Sequence, residues 1–561
     1  MRRAKAQPGA TPSQLSVLAC AEKTFMCYLI ESAAARAVKE ELTAKEGALE
    51  GARNALVLGY QDPQAGAFVP ASSVLLRTKM RTEKQEAVRR ACYKGVRTIG
   101  PSVTPGLSEV VKMRNQLAKA QGFTSFYDMK CTQAEGFGEE TLFGILDGLE
   151  ERTRPLMEAA RARVAAEKGA AALEPWNLGY ALSGDVTAAQ DPYFPFEDAV
   201  DAWARSFAAL GIQYRGATMR LDLLDREGKY SNGFCHWPQV AYINGKGTFV
   251  PSQTNFTSLA TPSAVGSGQS ALETLMHEGG HAAHFANVLQ PSPFFGQERA
   301  PTSVAYAETQ SMFLDSLVGD AAWLARYALN REGQPMPWTL LEQGLRAKRP
   351  YAVLDLRAML AVPYFERELY RLPDSELTAQ RVAALADEVE MRIQGGLSPR
   401  PLLSVPHILA DESSCYYHGY VLAEMAVWQT RAHMLHAYGR IVDEPRVGAA
   451  LASVYWAPGN SQPFLGLVEA LTGAPLSGNA WVTHLQEDLE AVVASEKAAY
   501  DVALRAGPAR KAGQGADLNM RVLLVHGAQV VADSGAAGGA NAEQRFALAS
   551  DTFKAWVRAR A

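Results

Sequence analysis

Ser270-Ala-Leu-Glu273-Thr-Leu-Met-His277-Glu278-Gly279-Gly280-His281-Ala-Ala-His284-Phe285 is the stretch that decides the fold and the chemistry. On a helix, His277 and His281 stand four residues apart and share one face. Two imidazoles there can both reach one Zn²⁺ at about 2.0–2.1 Å. Glu278 would stand beside water at the metal, where a carboxylate can accept a proton during attack on a carbonyl. The pattern His-Glu-x-x-His therefore predicts a zinc hydrolase. Ser267 or Ser270 is expected to cap the helix, and Pro291 to stop it. Glycine inside a helix costs about 1 kcal/mol relative to alanine. The pair Gly279-Gly280 therefore predicts that another element approaches closely.

A catalytic zinc needs a third protein ligand and an open fourth position. His284 and Asn287 stand where a metzincin would carry Gly and His, which excludes that class. His284 is expected to be a hydrogen-bonding or core residue. The next helical pattern, Ser303 to Asp315, places Glu308 among apolar residues, where an unpaired carboxylate would be costly. Glu308 is the expected third ligand, and Asp315 the expected acceptor for a ligand imidazole. Glu298, in the intervening Pro-rich loop, is the rival, read as a solvated loop carboxylate. Glu273 has two readings: a partner for a ligand imidazole, or the last residue of a Ser270-x-x-Glu273 capping box.

Outward from this helix the pattern is mainly α. Residues 15–170 show helical spacing, as in Leu142-Phe143-x-x-Leu146-x-x-Leu149. Around 219–250 it changes to short strands, with Asn244-Gly245-Lys246-Gly247 reading as the turn of a hairpin. Helix dominates again from 269 to 505. The last fifty or so residues are Gly- and Ala-rich and read as a flexible, loop-like extension. The expected organisation is an N-terminal helical region over 1–195, a catalytic region over 196–506 and an extension over 507–561.

Composition narrows the class. A chain of 561 residues with net charge −4 has no basic excess for nucleic acid. No apolar run reaches the length of a membrane span, and the N-terminus lacks the apolar core of a signal peptide. Six scattered cysteines without a Cys-x-x-Cys pair fit a reducing compartment. A cytoplasmic protein is expected. The oligomeric state is not legible.

Further motifs join the first in chain order. Arg114-Asn115-x-Leu117-Ala118-x-x-x-Gly122-Phe123, Leu221 to Tyr230, Glu273 to His284, Ala307-Glu308-Thr309-Gln310-Ser311-x-x-x-Asp315, Tyr455 to Ser461 and Leu471-Thr472-Gly473 together resemble the M3 family of zinc metallopeptidases. This is the thimet oligopeptidase and oligoendopeptidase F group, and the resemblance runs from about 75 to 500. It implies a two-lobed helical body with a deep central channel and a small sheet beside the zinc helix. It implies one Zn²⁺ on His277, His281 and Glu308, and short unstructured peptides as substrates. It also implies a substrate clamp in Pro406-His407 to Tyr420, with His407, Tyr417 and Tyr420 at the scissile carbonyl. Tyr417 and Tyr420 would share a helix face if Ser413 or Ser414 capped that helix, and a phenol there would stabilise an oxyanion. Unlike thimet-type members, the chain has no Gly between His407 and Cys415. The hairpin around 242–250 is a candidate edge for pairing with a substrate backbone. A (dipeptidyl) carboxypeptidase on the same scaffold is the alternative. It would need cations for the substrate's C-terminus, among which Arg346, Arg349 and Arg440 stand out. A non-catalytic zinc-containing peptide-binding protein is disfavoured by the intact Glu278.

Overall fold

The computed structural model describes residues 9–226, 229, 233–509 and 515–560, with the side chains of 183 and 184 left aside. Parts of the Leu221–Tyr230 motif, the extreme N-terminus and residues 510–514 lie outside this set. Among the described residues the chain is mainly helical, with one mixed sheet and two short hairpins. The helices that frame the site are α1 (Ala33–Ala55), α2 (Ser73–Thr82), α3 (Ile99–Ala120), α4 (Phe126–Glu135), α5 (Ser267–Asn287), α6 (Val304–Asp315), α7 (Val353–Arg371) and α8 (His418–Tyr438). The strands are β1 (Gly59–Gln61), β2 (Phe68–Pro70), β3 (Ala217–Leu224), β4 (Phe234–Gln239), β5 (Tyr242–Ile243), β6 (Phe249–Val250), β7 (Gln253–Ala260), β8 (Met520–His526) and β9 (Gln529–Asp533). A helix α9 (Ala542–Arg558) closes the described chain.

The five-stranded sheet has the order β4-β7-β3-β8-β9. Its centre is parallel: Leu221 on β3 pairs with Phe256 on β7 and Leu524 on β8. Both outer pairs are antiparallel. Alternation along β3 puts Met219, Leu221 and Leu223 into the core. The expected hairpin is present as β5–β6, with Tyr242 opposite Val250.

Two expectations are corrected. Residues 520–558 are not a loop-like extension but two strands and a helix, and β8 supplies β3 with its second neighbour. Composition misleads there because Val522, Leu524, Val525, Phe546 and Phe553, all buried, are diluted by Gly and Ala in the connections. The second correction concerns the start of α5. Its N-cap is Gly266 in the left-handed region (φ 78°), so neither Ser267 nor Ser270 caps it. The Ser270-x-x-Glu273 capping box is thereby excluded.

α5 is the central helix. From Glu278 to Asn287 every residue is buried. Gly279 and Gly280 make this possible, because a Cβ on Gly279 would collide with the Trp203 indole and one on Gly280 with the backbone of α6. α6 is buried from Val304 to Leu314. Ser303 caps it through the Tyr306 amide at 3.1 Å, and Glu135 at the end of α4 accepts the Val304 amide at 3.0 Å. A carboxylate at a helix N-terminus also suits the helix dipole. Behind α6, Trp456 donates to Gln310 at 2.9 Å and Tyr306 to the Tyr455 carbonyl at 2.6 Å, so the downstream Tyr-Trp motif buttresses this helix.

Candidate active site

His277, His281 and Glu308 converge, each offering one ligand atom within 4.8 Å of the others, a grouping that can hold a metal ion. His277 Nε2 lies 3.3 Å and His281 Nε2 3.6 Å from Glu308 Oε2. Both rings are turned this way because their Nδ1 atoms are held elsewhere. Asp315 Oδ2 lies 2.8 Å from His277 Nδ1, as its position seven residues after Glu308 predicts. Glu298 Oε1 lies 3.0 Å from His281 Nδ1. The solvated reading of Glu298 is therefore corrected: its side chain is only 8% exposed and serves as the second orienting carboxylate. No spacing signal marks it, since it reaches His281 from a loop.

Electrostatics follow from this geometry. Burial opposes the charge on Glu308, but hydrogen bonds from the two histidines outweigh it and hold the carboxyl well below its usual range. Burial likewise pushes the His277 imidazole down, yet Asp315 and Glu308 overcome it and lift the ring to about 10. Glu278 is buried beside the two histidines, and burial, with the charges of Glu308 and Glu298, raises its carboxyl above the ordinary value.

His284 stays out of this group. It is fully buried, with Nε2 3.0 Å from the Tyr306 hydroxyl. Glu273 bonds to Gln269 at 2.9 Å rather than to a ligand imidazole.

The clamp segment is arranged differently from expectation. α8 begins at His418, with Tyr417 at its N-cap and no side-chain cap, so Ser413 and Ser414 do not start the helix. The Tyr417 and Tyr420 rings nevertheless lie 4.8 Å apart and both pack on His407, but of the two only Tyr420 lines the cavity. The Tyr417 hydroxyl accepts from Arg400 Nη1 at 2.8 Å, whereas Tyr416 donates to Glu308 Oε1 at 2.7 Å. Tyr420 shares the cavity, its hydroxyl 3.3 Å from His407 Nε2. Burial, reinforced by Arg400, lowers the His407 imidazole to about 4, so the ring is neutral near pH 7.

Without glycines, the 406–415 segment is tied down. Buried Arg114 donates to the carbonyls of Ile408 (3.0 Å) and Leu409 (2.8 Å) and pairs with Glu46 on α1. Lys130 holds the Asp411 carbonyl at 2.7 Å, and Glu366 on α7 accepts the Cys415 amide at 2.7 Å. The Arg114-Asn115 motif, remote in sequence, is thus an anchor of the clamp.

A cavity of about 570 Å³ opens over the three converging side chains, lined also by Glu278, His407, Tyr416, Tyr420 and residues 233–237. β4 is the edge strand of the sheet, so this edge, and not the β5–β6 hairpin, borders the cavity. Arg346, Arg349 and Arg440 are each engaged with acids: Glu342 and Glu490, Glu487, and Glu444 respectively. No helix among the described residues is long and apolar enough to cross a membrane.

A model of peptidase family M3 matches residues 79–487. Among curated proteins, oligopeptidase A of Haemophilus influenzae is 24% identical over 520 residues, covering 81% of this chain and 73% of that protein. A mitochondrial intermediate peptidase of Aspergillus niger is 28% identical over 148 residues, 26% of this chain and 18% of its own length. Among solved structures, one described as an oligoendopeptidase F aligns with TM-score 0.60 at 15% identity, covering 87% of this chain and 81% of that one. An M32 carboxypeptidase from Deinococcus radiodurans aligns with TM-score 0.55 at 15% identity, covering 89% and 87%. These structural likenesses concern the fold.

Proposed function

The chain belongs to peptidase family M3, and from that premise we propose that it is a zinc-dependent oligopeptidase cutting internal bonds of short, unstructured peptides. The observation that carries this reading is the convergence of His277, His281 and Glu308 beside Glu278 at the floor of one cavity. Two imidazoles and one carboxylate, with both imidazoles oriented by acids, are a donor set that fits Zn²⁺ and leaves a fourth position open. Bound there, zinc would supply Lewis acidity that polarises a carbonyl and makes water a better nucleophile.

The chain's own groups do the rest. Glu278, with its raised proton affinity, is suited to take the proton of the attacking water and pass it to the leaving amine. Tyr420 and the neutral His407 present hydrogen-bond donors to the cavity, where an oxyanion would develop. Tyr416 holds Glu308, and Tyr417 reaches Arg400, so their roles are positioning ones. The β4 edge offers unpaired backbone groups to an extended peptide, which favours broad side-chain selectivity. We place the protein in the cytoplasm, in keeping with its six free thiols. We also place the functional boundary near residue 195, between the N-terminal helices and the metal-bearing region.

Mass spectrometry of N- and C-blocked peptides incubated with the protein tests this. Internal cleavage, lost with a chelator and regained with zinc, is expected. Intact blocked peptides alongside trimmed free ones would replace this reading with a carboxypeptidase.

A further inference from the structure

The helix Pro12–Tyr28 lies against the loop that carries Glu298. Of its 17 residues only Ala21 and Thr24 are buried, so core packing, the usual source of helix stability, does little to hold it in place. A Thr11–Gln14 capping box closes its start, and Gln133 on α4 donates to the Cys27 carbonyl near its end at 3.1 Å. Between these points it meets the loop. Thr24 Oγ1 donates to the Cys20 carbonyl at 2.9 Å and accepts from Gln297 Nε2 at 3.2 Å. The Phe25 and Phe294 rings meet edge to face, 6.0 Å apart. Gln297 is the residue next to Glu298, and Phe294 stands four before it.

The loop is also stapled at both ends by one side chain. Asn460 Nδ2 donates to the Phe294 carbonyl at 3.1 Å and to Thr302 Oγ1 at 2.7 Å, which brackets Glu298. The turn bearing Asn460 presses on the loop so closely that a Cβ on Gly459 would collide with the Phe295 carbonyl. Cys20, on the same helix, directs its thiol to Asn460 Oδ1 at 3.7 Å. The helix thus touches both the loop and the residue that ties the loop's ends. On the clamp side the loop has the Arg299–Glu412 pair, but those side chains are 53% and 69% exposed, and such pairs contribute little. Glu298 itself is buried, 3.0 Å from His281 Nδ1. A carboxylate on a loop orients an imidazole only as well as the loop is held.

We infer that Thr24, Phe25 and Asn460 are positioning residues for the metal centre: they fix the 293–302 loop, the loop fixes Glu298, and Glu298 fixes His281. The inference rests on the metal site proposed above and adds to it a support some 260 residues earlier in the chain, about the separation from Thr24 to His281. His277 is oriented separately, by Asp315 on α6. The two ligand imidazoles therefore have independent supports, and the helix Pro12–Tyr28 acts on only one of them. The Asn460 segment gains a second role beside the buttressing of α6 by Tyr455 and Trp456.

The test is a set of double-mutant cycles on the full-length protein, stripped of metal and titrated with zinc against a zinc-binding dye. Thr24→Val with Phe25→Ala, and separately Asn460→Ala, are made in the native, Glu298→Gln and Asp315→Asn backgrounds. In the native background each should weaken zinc binding roughly three- to tenfold, below the 10–100-fold typical of losing an orienting partner outright. The same loss should persist in Asp315→Asn and shrink to within about twofold in Glu298→Gln, because only Glu298 shares the path. Phe25→Leu with Thr24→Ser should restore most of the affinity. A merely structural helix would lower stability without this background dependence. Unchanged zinc affinity, or an equal loss in the Glu298→Gln background, overturns the inference and leaves the metal site standing. A native protein that binds no zinc removes both. Where Asn460→Ala does not fold, the Thr24 and Phe25 variant decides alone, since Phe25 is 53% exposed and its loss leaves the core intact.

Discussion

Gly280 on α5 faces Ser311 on α6 so closely that a Cβ on Gly280 would stand 2.8 Å from Ser311 Cα and 2.6 Å from the Gln310 carbonyl oxygen. This contact sets the spacing between the helix bearing His277 and His281 and the helix bearing Glu308. Gly280→Ala should therefore force the helices apart. Overpacking of this kind costs about 1–3 kcal/mol. Thermal unfolding should show the loss of stability, and zinc titration of the folded variant should show weaker binding. Unchanged zinc affinity would show that the interhelix distance is not what places Glu308.

Glu278→Gln removes a proton acceptor but keeps the side chain's shape. Zinc content should stay at one per chain, while kcat falls roughly 10²–10⁴-fold. Steady-state kinetics beside metal analysis checks this, and near-native turnover would eliminate Glu278 as the base.

Asp315→Asn and Glu298→Gln each weaken the hold on one imidazole Nδ1, on His277 and His281 respectively. Loss of such orienting partners typically costs 10–100-fold in metal affinity or activity. Competition against a zinc-binding dye should place both variants in that range. If only Asp315 matters, the loop bearing Glu298 plays no part in metal binding.

The three tyrosines should separate. Tyr420→Phe removes a donor at the cavity and should lower kcat by up to about 10²–10³-fold with little change in KM. Tyr416→Phe leaves Glu308 Oε1 without its partner and should act chiefly on zinc affinity. Tyr417→Phe, which loses only the bond from Arg400, should change kcat least. Equal kcat losses at 417 and 420 would restore the paired assignment suggested by family resemblance.

Burial raises the Glu366 carboxyl from 4.5 to about 7, against the opposing Cys415 amide, Arg114 and Lys130. Below pH 4.5 it is protonated in both folded and unfolded chains. Between 4.5 and 7 the unfolded chain ionises first, so folding loses stability as pH rises through that window and no further above it. One pH unit between the folded and unfolded titration midpoints corresponds to about 1.4 kcal/mol. Glu366→Gln keeps an acceptor for the Cys415 amide but cannot ionise. Its melting temperature should therefore fall less than that of the native protein between pH 5 and pH 8. Parallel curves would show that Glu366 is not the titrating group.

Local periodicity determined the part of this protein that repeats along one helix. The i, i+4 spacing put His277 and His281 on one face, and the i, i+7 spacing put Glu308 and Asp315 on another. The glycine pair announced a close neighbour, and the turn at 244–247 announced a hairpin. None of these needs a contact between distant segments. What the tertiary structure alone decided are relationships between residues far apart in the chain. Glu298 became an orienting carboxylate because a loop folds back on His281. Tyr416 came to bond Glu308 in a segment where α8 starts at His418 rather than just after Ser413 or Ser414. Residues 520–533 became strands because β3 had an open edge to receive β8. Side-chain spacing encodes the faces of an element, but the assignment of one face to another depends on burial and pairing summed over the whole fold.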